Sequence, residues 1–141
     1  MGLDEAVTPP CVVAGIGFRQ ATTAAEIVAL LNRALAEAGL ASGQLTVIAT
    51  AADRASEPAI REAAAVFGLA PIALDAAALT AVDARVVTRS RRIEASRGIG
   101  SVAEAAALAC AGPAARLVLP RIASAGATCA LAVAERASSL P

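Results

Sequence analysis

Cys11-Val12-Val13-Ala14-Gly15-Ile16-Gly17-Phe18-Arg19 is the stretch whose reading decides the fold. Its near-continuous run of Val, Ile, Ala and Gly suits a strand covered on both faces, which belongs in the middle of a sheet. Directly after it, Thr23-Ala24-Ala25-Glu26 has capping-box spacing. Ile27, Leu30, Leu31, Ala34, Leu35 and Ala38 then recur at helical intervals until Gly39 ends the run. A buried strand feeding an amphipathic helix is the opening unit of an α/β domain.

The same alternation continues outward from this unit. Leu45 to Thr50 reads as a second strand, and the polar turn Asp53 to Glu57 leads into a helix with Pro58 in its first turn. Ile60, Ala64 and Phe67 are expected to face the sheet, with Gly68 closing that helix. Pro71 to Leu74 is a short third strand, and Asp75 caps a small helix through Ala81. Between Val82 and Arg97 the pattern breaks, with Arg85, Arg89, Arg91, Arg92 and Arg97 crowded into one basic stretch. Gly98-Ile99-Gly100-Ser101 opens another helix, Ser101 and Glu104 again standing at capping-box spacing, and Gly112-Pro113 closes it. Ala115 to Leu119 and Ala127 to Glu135 read as strands joined by the loop Pro120 to Gly126, a connection short enough to require an antiparallel hairpin. The expected fold is therefore three-layer α/β, a mainly parallel mixed sheet with helices on both faces and a C-terminal antiparallel hairpin. One domain over residues 11–136 is expected, with a flexible leader at 1–10 and a tail at 137–141.

Composition narrows the chemistry. Of 141 residues 41 are Ala and only two are aromatic, so the core must be made of Val, Leu, Ile and closely packed Ala. All twelve basic residues are Arg, and the formal net charge is zero. A broad attraction to nucleic acid or membrane is not expected, and no apolar run reaches the roughly 18 residues of a membrane span. Without Lys there is no Schiff-base amine or phosphate-loop lysine, whereas guanidinium forks suited to carboxylates are plentiful. The absence of His excludes a Ser-His-Asp or Cys-His catalytic arrangement. Cys11, Cys110 and Cys129 are widely spaced in apolar segments, as suits free thiols in a reducing cytoplasm, and neither a metal site nor a cofactor is expected.

Right-handed crossovers put the loops after parallel strands on one sheet edge, where open α/β proteins bind ligands. The loops Gly15 to Thr23 and Thr50 to Glu57, and Gly98 to Ser101 if it folds over that edge, are the candidates, two of them ending at helix N-termini that favour an anion. Gly15-x-Gly17 invites a dinucleotide reading, but Gln20 occupies the third glycine position and Asp53 stands far beyond the expected acid. Arg19 directly follows the first strand, where it meets either a bound carboxylate or a neighbouring acid. Thr22 and Thr23 offer hydroxyls, with Thr23 read first as an N-cap. Glu57 is a weak candidate base, or simply an acid compensating a helix dipole. Ser101 and Glu104 read first as caps and second as ligand contacts.

GIGFRQATTAAEI at 15–27, the Asp53 to Pro58 turn, GIGSVAEAAAL at 98–108 and the series LVLPR…ATCALAVAE form an ordered set over residues 11 to 135. This set resembles the CobE family of cobalamin biosynthesis proteins, which is similar to the C-terminal domain of CbiG. The resemblance implies a part in making the corrin ring, in the aerobic pathway, with a precorrin or hydrogenobyrinate-like tetrapyrrole as ligand and other pathway enzymes as further partners. CbiG-type proteins open a lactone on a cobalt-containing precorrin, which makes a hydrolase the alternative implication. Docking onto another pathway enzyme is a further alternative. On the same resemblance Arg19, Thr22, Glu57, Ser101, Glu104 and Thr128 fall on or near recurring polar positions, and together with Gly15, Gly17, Thr23, Asp53, Gly100 and Arg121 they are the ligand-binding candidates. The family commonly has Cys at the position of Phe18 and Lys at that of Arg121. A corrin precursor is a flat apolar ring fringed by carboxylates, so Arg side chains and helix N-termini around small residues suit it.

Overall fold

The computed structural model describes residues 11–87 and 101–134. Five strands form one sheet in the order β3-β2-β1-β5-β4. They are β1 (Cys11–Phe18), β2 (Leu45–Ala51), β3 (Pro71–Leu74), β4 (Arg116–Ala123) and β5 (Ala127–Ala134). The β1–β2 and β2–β3 pairs are parallel, and β1–β5 and β4–β5 antiparallel. β1 is central, as its apolar run requires. Its side chains alternate: Val12, Ala14 and Ile16 join the core on one face, and Val13 joins the core on the other.

The first face is covered by α1 (Ala24–Ala38) and α2 (Pro58–Val66), the second by α3 (Ala76–Ala81) and α4 (Val102–Ala111). α1 buries Ile27, Leu30, Leu31, Ala34 and Leu35 as its periodicity predicts, and ends at Gly39 with φ 74°. α2 begins with Pro58 at its first position and buries Ile60, Ala63 and Ala64, while Phe67 remains half-buried. Asp75 caps α3 by accepting the Ala78 amide at 2.8 Å. Each fully buried Ile or Leu removes apolar surface worth about 1.5–3 kcal/mol.

α4 is of a different kind, with every residue from Val102 to Leu108 buried. Its small side chains let it lie directly on β1. A Cβ built on Gly15 would stand 1.9 Å from the Ala103 carbonyl oxygen and 2.6 Å from the Ala107 nitrogen. Only a glycine permits this approach, so Gly15 serves the packing of helix on strand.

The hairpin differs from the sequence reading. Instead of a loop over Pro120 to Gly126, β4 continues through Pro120 to Ala123, leaving Ser124 to Gly126 as the turn. Two register shifts, between Leu117 and Leu119 and between Leu119 and Ile122, make this possible. Pro120 lies on an edge strand within a register shift, the kind of place in a sheet that tolerates a missing N–H. A further shift between Val12 and Val13 accompanies a bond from the Val12 amide to Thr46 Oγ1 at 3.2 Å.

Of the expected basic stretch, Arg85 ends a short 3-10 turn at Asp83–Arg85 and donates from Nη2 to the Ala115 carbonyl at 2.5 Å. Arg89, Arg91, Arg92, Arg97 and the Gly98 to Gly100 helix entrance lie outside the described residues, as do the expected leader and tail. Cys129 is buried, which pushes its thiol pKa up to about 12; Cys11 and Cys110 are half-buried, and all three are free. No helix among the described residues is long and apolar enough to cross a membrane.

Candidate functional site

A cavity of about 830 Å³ opens where β1 and β2 end and β5 begins. This volume is towards the top of the range of roughly 300–1,000 Å³ usual for small-molecule sites. Gly17, Phe18 and Arg19 line it from β1, and Thr50, Ala51, Asp53 and Arg54 from β2 and its following turn. Ser101 and Val102 bring in the α4 N-terminus. Arg121 and the segment Ala123 to Thr128 form the hairpin wall.

Among the described residues, three arginines, Arg19, Arg54 and Arg121, line the cavity from three separate segments, with Asp53 as the lining acid. Arg54 lies over the Phe18 ring at 5.8 Å from its centroid, a cation–π distance. Ser101 Oγ accepts the Glu104 amide at 3.2 Å, and Thr50 Oγ1 donates to the Ile16 carbonyl at 2.7 Å. Gly17 leaves room for Thr128, whose Oγ1 would stand 2.8 Å from a Cβ added there. Among the described residues no group of three or more His, Cys, Asp or Glu is gathered as a metal site.

The hairpin wall is held from both faces of the sheet. On one face, Thr23 Oγ1 accepts the Glu26 amide at 3.2 Å, as an N-cap should. The Glu26 carboxylate turns to the hairpin, where Oε2 accepts the Ser124 hydroxyl at 2.5 Å and the Gly126 amide at 2.6 Å. These bonds, Ser124 first and Gly126 second, hold the Glu26 pKa below its ordinary value of 4.5. Thr22 Oγ1 and the Arg19 amide both donate to the Gly126 carbonyl, at 2.7 and 2.9 Å. A Cβ on Gly126 would stand 2.6 Å from Thr22 Oγ1, so a larger residue there would have to displace the hydroxyl that holds the turn.

On the other face, Glu104 is fully buried. Its Oε1 accepts the Val87 amide at 2.7 Å and its Oε2 the Arg121 amide at 2.9 Å. Arg121 lies within the register shift between Leu119 and Ile122, and this bond fixes the backbone of a residue that lines the cavity.

Of the sequence candidates, Gly17, Arg19, Asp53, Ser101, Arg121 and Thr128 meet at the cavity. Gly15 lies beneath α4, Thr22 and Thr23 are engaged with the hairpin turn and the α1 cap, and Glu57 is the N-cap position of α2. Glu104 is behind the wall, holding backbone amides rather than lining the cavity. Gly100 lies outside the described residues. Reading by residue missed Arg54, Thr50 and the Ser124 to Gly126 turn. Arg54 sits inside the loop already singled out at the strand edge, so its position was the available signal; the role of Glu26 depends on a contact 98 residues away.

The family model described as Cobalamin synthesis G C-terminus matches residues 12–132. The chain belongs to this family of cobalamin biosynthesis proteins. Protein CobE from a Sinorhizobium species is 45% identical over 120 residues, which cover 85% of this chain and 78% of that protein. The crystal structure of a CobE from the cobalamin (vitamin B12) biosynthetic pathway matches with a TM-score of 0.83 at 33% identity, over 89% of this chain and 92% of that one. The cobalamin biosynthesis protein chiG from Agrobacterium tumefaciens matches at 0.67 and 35% identity, over 86% and 96% of the two chains. A cobalamin biosynthesis protein G homolog from Sulfolobus solfataricus, at 22% identity, shares the fold with a TM-score of 0.71 over 91% of this chain and 38% of that one.

Proposed function

We propose that this chain serves cobalamin biosynthesis by binding a corrin-ring precursor, a precorrin or hydrogenobyrinate-like polycarboxylate, in the cavity at the sheet edge. The observation that carries the reading is the convergence of Arg19, Arg54 and Arg121 on one cavity from three different segments. A guanidinium pairs with carboxylate through two parallel N–H donors, and three of them spaced around a cavity suit a ring with acidic arms at several corners. Small residues on the hairpin side, Ala123, Ala125 and Gly126, leave space for a flat body. Phe18, with Arg54 above it, offers an apolar surface beside the charged groups.

Titrating the protein with hydrogenobyrinic acid tests this. A shift in the ligand's absorption spectrum and co-elution on a desalting column are expected, with affinity falling as salt rises. The absence of both the spectral shift and the co-elution would defeat the proposal.

A further inference from the structure

We propose that Glu26 is a positioning residue for the cavity, acting through the Ser124 to Gly126 turn. The inference rests on the binding reading above and adds the element that sets the shape of its outer wall. Glu26 is in the first turn of α1 and is not itself a lining residue, whereas Ser124 and Gly126 both are. One carboxylate oxygen accepts a hydroxyl and a backbone amide from that turn, at 2.5 and 2.6 Å.

The turn is also tied to the segment that carries Arg19. The Gly126 carbonyl accepts the Arg19 amide, and Thr22 Oγ1 donates to the same oxygen. Holding Gly126 from its N–H side by Glu26 and from its carbonyl side by residues 19 and 22 couples two walls of the cavity. Ser124 Oγ is likewise shared, since it accepts the Ala127 amide at 3.2 Å while donating to Glu26. Loss of the carboxylate leaves the turn its carbonyl tie to residues 19 and 22 but removes the tie on its N–H side, and a ligand that contacts the loosened turn must then order it as it binds. Because Glu26 touches no cavity surface, its substitution changes affinity only by this route.

The test compares Glu26→Gln and Ser124→Ala with Ile60→Val, a buried substitution in α2 away from the turn. Affinity for hydrogenobyrinic acid is measured by absorption titration, and amide exchange at Gly126 by NMR. Glu26→Gln should weaken binding on the order of tenfold and speed Gly126 exchange. Ser124→Ala should act in the same direction, and Ile60→Val should leave affinity unchanged at a comparable loss of stability. Unchanged affinity in Glu26→Gln and Ser124→Ala beside a wild type that binds would overturn the positioning role and leave the binding reading intact. An equal loss in all three variants would overturn it too, because affinity would then follow stability. A wild type that does not bind would remove the binding reading and this inference together.

Discussion

Thr23 and Glu26 open α1 on one face of the sheet as Ser101 and Glu104 open α4 on the other. In both, the hydroxyl accepts the amide of the acid three residues on, at 3.2 Å. A closed capping box would send each carboxylate back to its N-cap amide. Here both carboxylates reach the β4–β5 hairpin, Glu26 at its turn and Glu104 at the Arg121 amide. The surroundings differ. Glu104 is sealed beneath the wall, whereas Glu26 lies at the partly exposed entrance to α1. The same local pattern thus yields an internal anchor on one side and a clasp near water on the other. Losing an anchor costs stability; losing a clasp chiefly loosens the rim.

This contrast is broken most severely by lifting α4 off the sheet. Gly15→Ala places a methyl against helix backbone that cannot rotate away, so a loss of about 3 kcal/mol or more is expected in urea unfolding. Glu104→Gln is the next largest. The amide keeps one acceptor but sets an N–H₂ against either the Val87 or the Arg121 N–H in a dry site. A loss of about 2–3 kcal/mol is expected from the same measurement.

Glu26→Gln should shift the urea midpoint least, because water can reach the groups it releases. Its signature is the pH dependence. The folded state holds the Glu26 pKa below 4.5, so its contribution is present above that value and is lost as pH falls through the lowered folded value. The stability difference between wild type and Glu26→Gln should therefore be constant above pH 4.5 and shrink below it. A difference that grows on acidification would contradict the clasp.

α1 was legible in the sequence because its apolar stripe, its Thr23 cap and its Gly39 stop all agree, and each is a local signal. β1 was legible as a central strand from its unbroken apolar run. α4 was found from its ends, but an Ala-rich helix buried all round has no stripe to say which side meets the sheet. β4 was read too short because Pro120 has the look of a loop residue, and only the edge position and adjacent bulges let it stay in the strand. In the candidate site, Arg19 and Ser101 were reachable because they lie at element ends on the ligand edge, and Arg121 and Thr128 through the family resemblance. The carboxylates of Glu26 and Glu104 were not, since hydrogen bonds to residues 98 and 17 positions away have no local sequence pattern.

The most direct measurement is a parallel titration of the wild type and the triple variant Arg19→Ala, Arg54→Ala, Arg121→Ala with hydrogenobyrinic acid and with its methyl ester. The wild type is expected to bind the acid far more tightly than the ester, and the triple variant, though folded, to lose the acid. Equal binding of acid and ester, or an undiminished affinity in the triple variant, would contradict it.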